Sequence, residues 1–153
     1  MSTARFLGFP FLAFVILCGA YYFFVRVPEY PLARVNGVSL RLLLATSTAA
    51  QERGLGERSV LPRHEGMLFV FKTSDRYGFW MKDMRFPIDI IWMNAQGQVV
   101  TIEPSVATST FPDVFYPAVP ARYVLETTAG FARANNIATG TPIQLQNVPG
   151  VSE

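Results

Sequence analysis

The sequence predicts a mainly β protein: one compact domain, a sandwich or partly closed barrel, behind a single membrane-spanning helix. Three observations carry this reading. They are an uncharged apolar run near the start, a series of short strand-like segments separated by turn residues, and a balanced charge in everything that follows. From Phe6 to Val25 the chain reads FLGFPFLAFVILCGAYYFFV, with Arg5 and Arg26 at its two ends. A helix needs about 20 mostly apolar residues to cross a bilayer core, and this run supplies them. A cleaved signal peptide has a shorter apolar region, about 7–15 residues, followed by small residues. Tyr21-Tyr22-Phe23-Phe24-Val25 offers no such site. Cys18 as a lipid acceptor is disfavoured by Leu17 immediately before it. The expectation is a retained anchor over residues 1–26, in contact with the bilayer through residues 6–25.

Arg5 and the amino terminus precede the run, while Arg26 follows it with Glu29 close behind. Positive charge is kept on the cytoplasmic side, so the domain is expected outside, in the periplasm of a bacterium, with the anchor in the inner membrane. The connector at residues 27–33 holds Pro28 and Pro31 and reads as extended and stiff. At about 3.3 Å per residue it reaches on the order of 20–25 Å, which keeps the domain, residues 34–150, near the lipid surface.

The 153 residues carry 13 Lys+Arg and 11 Asp+Glu; the two arginines flanking the apolar run leave eleven of each sign beyond it. Nucleic-acid binding needs a basic footprint, and a balanced domain has none. The one cysteine, Cys18, lies in the apolar run, so the domain is expected to hold no internal disulfide.

Along the domain, Asn36-Gly37 is a hairpin turn signal and Val38–Ala45 a first strand. Thr48 to Leu55 reads as a short helix, with a Thr48-x-x-Gln51 capping box and Gly54 and Gly56 at its end. Met67-Leu68-Phe69-Val70-Phe71 is an unbroken apolar run, as in a strand buried on both faces. Tyr77–Lys82 and Ile88–Met93 are two strands divided at Pro87. Asn94-Ala95-Gln96-Gly97 turns the chain into a returning strand, Gln98–Ile102. Arg122–Glu126 is another strand, Thr128–Asn135 a second short helix, and Ile143–Val148 a closing strand. Between Glu103 and Pro120 runs a long segment with four prolines and the rings of Phe111, Phe115 and Tyr116. Loops of that length in small domains are functional or disordered, and aromatic residues argue against disorder. These three rings either fold back as a cap or form a partner-binding loop.

The densest polar cluster is Trp80, Lys82, Asp83, Arg85 and Asp89, set among apolar strands. One reading makes Asp89 an anchor of the Pro87 kink, its carboxylate accepting hydrogen bonds from a turn or pairing with Arg85 or Lys82, since a buried carboxylate must be paired or neutralised. The other puts Trp80, Lys82, Asp83 and Asp89 at the mouth of a ligand pocket. Glu126, at the end of an apolar strand, is placed to face Asp89 across the sheet, and two carboxylates could perform acid–base chemistry. His64, the only histidine, lies in a loop-like stretch and reads as an exposed, idle side chain. No nucleophile elbow, phosphate loop or metal-ligand spacing is present, so neither a catalytic set, a cofactor nor a metal is expected.

Four motifs together resemble a known family. Gly66-Met67-Leu68-Phe69-Val70-Phe71 is followed by Phe79-Trp80-Met81-Lys82-Asp83-Met84, then Pro87-Ile88-Asp89-Ile90-Ile91, then Tyr123-Val124-Leu125-Glu126 with Gly130. This is similar to the bacterial and archaeal domain-of-unknown-function family 192, over roughly residues 35 to 148. The resemblance implies a single, mostly antiparallel β domain, often behind a signal or anchor, and supplies no activity. Arg53-Gly54-Leu55 and Arg58 fit the family pattern. The chain departs from it at Ala50-Gln51, where Glu-Arg is usual, and at Gly56 for Met, Asp83 for Asn and Thr141 for Asp.

The functional expectation is a membrane-anchored, extracytoplasmic binding or accessory module, compatible with a subunit role in a larger membrane complex. The alternative is a small envelope hydrolase using carboxylates near Asp83, Asp89 and Glu126.

Overall fold

Nine strands, two short α-helices and one 3-10 turn make up the protein over residues 30–151, which is what its structure, a computed structural model, describes. The apolar segment 6–25 and residues 27–29 of the connector lie outside the described residues. Within them, no helix is long and apolar enough to cross a membrane.

Strand β1 spans Leu32–Val35 and turns at Asn36-Gly37, both with positive φ (48° and 82°), into β2, Val38–Ala45. That pair of angles belongs to the tight hairpin turn whose twist suits flanking strands. Two residues read as connector from sequence, Leu32 and Ala33, thus enter the sheet. Strand β3 (Glu65–Asp75), β5 (Ile88–Met93), β6 (Val99–Val106), β8 (Ala121–Thr128) and β9 (Gln144–Gln146) complete one seven-stranded sheet, ordered β6-β5-β8-β3-β2-β1-β9. The sheet curls into a half-barrel. All its pairings are antiparallel except β2 with β3, which run parallel from Arg41 beside Glu65 to Ala45 beside Phe69. A parallel pair needs a crossover between its strands, and residues 46–64 provide it.

Side chains alternate across a strand, so the curled sheet carries two cores. One face holds Leu40, Leu68, Ile91, Met93 and Leu125, and is covered by α2 (Phe131–Ala134) and the C-terminal segment through Ile137, Ile143 and Val148. The other face holds Met67, Phe69, Ile88, Ile90, Trp92 and Val124. It is covered by the crossover, with α1 (Thr48–Arg53), Leu55 and Leu61, and by a two-stranded ribbon of β4 (Phe79–Trp80) and β7 (Val114–Phe115). The run 67–71 behaves as its apolar continuity predicts: Met67 and Phe69 enter the second core and Leu68 the first.

Helix α1 is shorter than expected and capped differently. Ser47, not Thr48, is the N-cap, its hydroxyl accepting from the Ala50 N–H (3.3 Å). Gln51 does not close a capping box. Its Nε2 donates to the Ala45 carbonyl (3.2 Å) and the Val70 carbonyl (3.1 Å), bridging β2 and β3 at the point where β2 leaves the sheet. Gln51→Leu is expected to cost about 1–3 kcal/mol by leaving both carbonyls unsatisfied. Urea unfolding of the variant beside the wild type measures it, and an unchanged midpoint would show that the bridge contributes nothing.

The long proline-rich segment is not a featureless loop. β6 runs on to Val106, the 3-10 turn occupies Thr108–Thr110, and β7 pairs back onto β4. The strand expected over Tyr77–Lys82 is reduced to Phe79–Trp80, because its partner β7 is only two residues long.

Candidate functional site

The ribbon is fastened to the sheet by one ring. Phe79 is buried and packs edge-on against Phe69 (centroids 4.8 Å, 86°) and Trp92 (5.8 Å, 87°). Such edge-to-face pairs add about 0.5–1.5 kcal/mol beyond the area they bury. The Trp92 indole N–H donates to the Tyr77 carbonyl at 3.1 Å, fixing the chain just before the ribbon. Tyr77 in turn stacks on Phe71, with centroids 3.6 Å apart. A Cβ at Gly78 would come within 2.6 Å of the Tyr116 ring and 2.7 Å of the Val114 side chain, so both would have to move aside. The absence of a Cβ lets β7 lie close over β4.

On the other side, α1 ends at Gly54, whose φ of 52° and ψ of −135° suit glycine. Between α1 and the ribbon a cleft of about 490 Å³ opens over β3. Its walls are Phe69, Phe71, Tyr77, Phe79 and Trp80, with Thr48 and Gln51 from α1, and Glu52, Arg53 and Lys82 lie exposed along it. Glu126 completes the lining. It lies directly across from Met67 on β3 and Ile90 on β5, so apolar neighbours flank it on both sides. The residue is 4% exposed, and its carboxyl Oε2 is buried without a hydrogen-bond partner. Burial pushes its pKa up from 4.5 to about 8, because a charged carboxylate in an apolar site lacks compensation. At neutral pH Glu126 is therefore mostly the uncharged acid.

Of the residues singled out from sequence, Trp80, Lys82 and Glu126 line this one cleft. Lys82 Nζ stands 5.9 Å from the centroid of the Trp80 ring. Asp83 stands beside the cleft without lining it. It occupies a turn at φ 57°, and its carbonyl accepts from the Glu57 N–H at 2.9 Å. Asp and Asn share a tolerance for the left-handed region, which is the physical sense of an Asp where the family has Asn. The three loop rings join the same neighbourhood. Phe115 pairs with Phe79, Phe111 lies edge-on to Trp80 at 6.0 Å, and Tyr116 covers Gly78.

Asp89 is elsewhere, and the expectation that Glu126 faces it does not hold. The β5–β8 register sets Ile90 opposite Glu126 and Asp89 opposite Thr127, so the two carboxyls project from opposite faces of the sheet. Asp89 is fully buried; Oδ1 accepts from the N–H groups of Ser105 (2.8 Å) and Gly130 (2.9 Å), and Oδ2 from Ala132 (2.8 Å). A register shift between Ile88 and Ile90 turns Ser105 toward it. Gly130 caps α2 with no side chain of its own, so Asp89 performs that task from a neighbouring strand. It is an anchor, the first of the two readings the sequence allows. His64 is exposed, and only its carbonyl is engaged, by Arg41 N–H. Among the described residues no three His, Cys, Asp or Glu side chains gather as a metal-ligand group.

The sequence reading missed Gln51, Phe69, Phe71 and Tyr77 as cleft residues. The alternation of Met67, Phe69 and Phe71 put them on one face, but nothing in the sequence tied that face to Glu126 or to α1.

Fold and cleft together define a small β domain built on a half-barrel sheet, with an aromatic cleft over one face. The chain belongs to domain-of-unknown-function family 192, described as an uncharacterized ACR, whose model matches residues 32–145. No curated protein matches it. Among solved structures it is similar to a Sinorhizobium meliloti 1021 protein provisionally described as a transcription regulator. That likeness has a TM-score of 0.72 at 24% identity, covering 78% of this chain and 96% of the other. It is also similar to a protein of unknown function from Novosphingobium aromaticivorans DSM 12444, with a TM-score of 0.67 at 28% identity, covering 75% and 83%.

Proposed function

We propose that the protein is a membrane-tethered binding module, held to the bacterial inner membrane by residues 6–25, whose periplasmic domain takes a small ligand in the cleft between α1 and the β4–β7 ribbon. The observation that carries the binding half is Glu126: a buried carboxyl with an unpartnered oxygen in the lining of an open, aromatic-walled cleft. Buried polar atoms are nearly always hydrogen-bonded, and an exception calls for an explanation; a ligand that completes the set supplies one. Apolar walls with a few placed polar groups are the usual make-up of small-molecule sites. The tether rests on the uncharged length of residues 6–25 and its flanking arginines.

The envelope-hydrolase alternative is weakened by the register, which sends Asp89 and Glu126 to opposite faces. The exposed rings of Trp80, Phe111 and Tyr116 (48%, 46% and 56% accessible) favour a second role for this edge, as a contact face for a membrane-complex partner.

Native protein washed with alkaline carbonate is expected to stay with the membrane pellet. Extracted in mild detergent, it is expected to release a small molecule on denaturation that a Glu126→Leu variant does not carry. Protein recovered in the carbonate supernatant overturns the tether. Wild type and variant with identical small-molecule content overturn the binding site.

A further inference from the structure

Resting on the reading of the cleft as a binding site, we propose that its ligand is an uncharged molecule with a flat apolar body and a carboxamide-type edge, a donor and an acceptor side by side, presented to Glu126. The shape of the request comes from the side chain itself. A neutral carboxylic acid carries one O–H donor and one carbonyl acceptor on the same carbon. An amide edge answers with an acceptor and an N–H at matching spacing, so two parallel hydrogen bonds form when the carboxyl turns into the cleft, and Oε2, covered and unpartnered in the free fold, is satisfied.

The surroundings decide against a charged ligand. The neighbours packed around the carboxyl are Met67 and Phe69 on β3, Ile90 on β5 and Gly54 at the end of α1, none of which titrates. Oε2 has no hydrogen-bond partner, so no donor is engaged there that could hold an anion instead. The other charged groups of the cleft are Glu52, Arg53 and Lys82, all exposed. Two of these three are cations, and Lys82 already stands over the Trp80 ring, the aromatic face a cationic ligand would meet first. The walls of Phe69, Phe71, Tyr77 and Phe79 suit a flat apolar body.

The test uses the full chain in detergent with its tryptophans labelled by ¹⁵N. The two indole N–H signals are a matched pair: Trp80 lines the cleft, while Trp92 is buried and bonded to the Tyr77 carbonyl. Benzamide is the neutral probe and benzylammonium the cationic one. Benzamide is expected to shift the Trp80 signal saturably at pH 6, in the millimolar range usual for so few atoms. It should bind about tenfold more weakly at pH 9, where the acid has lost its donor proton. In Glu126→Gln, which keeps a donor and an acceptor, binding is expected to persist at both pH values; Glu126→Leu should lose it at both.

Benzamide binding equally well at pH 6 and pH 9 in the wild type overturns the proposal without recourse to any variant. Preferential binding of benzylammonium, strengthening with pH and lost in Glu126→Gln, overturns it while leaving the cleft as a site. If neither probe moves the Trp80 signal, the proposal and the binding site fall together.

Discussion

Replacing Asp89 by alanine is expected to destabilise the domain by on the order of 4–6 kcal/mol. Its two oxygens accept from three backbone N–H groups, at Ser105, Gly130 and Ala132, in a site with no exposure. Removing the acceptor leaves those donors without partners, at about 1–3 kcal/mol each. The loss is of the same order as the whole stability of many domains, about 5–15 kcal/mol, so the variant should be marginal. Urea unfolding gives the difference. Hydrogen exchange locates it, since the amides of Ser105, Gly130 and Ala132 should exchange faster while those in β2 and β3 change least. A loss below about 1 kcal/mol would mean the carboxylate is not the anchor described. The adjacent Thr127 is the natural control. It is equally buried on the same face, yet its hydroxyl has no partner, so Thr127→Val is expected to be neutral or stabilising.

The second large effect concerns pH. Glu126 binds its proton more tightly folded, at a pKa of about 8, than at its ordinary 4.5. The folded state therefore holds the proton over a range where the unfolded chain has released it, and stability must fall as pH rises. The contribution is fully present below about pH 4.5 and lost as pH climbs through about 8. Between pH 5 and pH 8 the decline is on the order of 4 kcal/mol, at 1.36 kcal/mol for each pH step. Glu126→Gln removes the titrating group while keeping its shape. The variant should match the wild type near pH 5 and exceed it by a few kcal/mol at pH 8. Urea midpoints of both proteins across that range isolate this residue, because every other titration is shared. Parallel pH profiles for the two would show that Glu126 is ionised in the fold. The two buried carboxyls are accommodated differently: Glu126 by staying neutral, Asp89 by accepting from three backbone N–H groups.

Much of the architecture could be read along the chain. Alternation and turn chemistry are local, so the Asn36-Gly37 hairpin, the strands at Val38–Ala45 and Ile88–Met93, and the doubly buried run 67–71 were all legible. So was the family, because its four motifs are stretches of contiguous sequence. Local cues were least informative where a partner lay far away. The helix at Thr48 has two hydroxyl residues able to cap it, and nothing local shows that Ser47 takes the Ala50 N–H while Gln51 reaches the Ala45 and Val70 carbonyls. The segment 103–120 shows its prolines, but not that Val114 and Phe115 pair with Trp80 and Phe79.

The cleft divides in the same way. Sequence alone singled out Trp80, Lys82, Asp83 and Glu126, of which Asp83 stands outside the lining, and it left Asp89 as either a site residue or an anchor. Tertiary structure made that choice, through the register of β5 against β8. Side chains alternate with a period of two, so a slip of one residue in that pairing would have put Asp89 and Glu126 on the same face. Register between residues 30 to 40 positions apart in the chain is fixed by the summed packing of two cores, and no window of local sequence contains it. The identity of the chemical groups was written in the chain; which of them share a space was decided by the curl of the sheet.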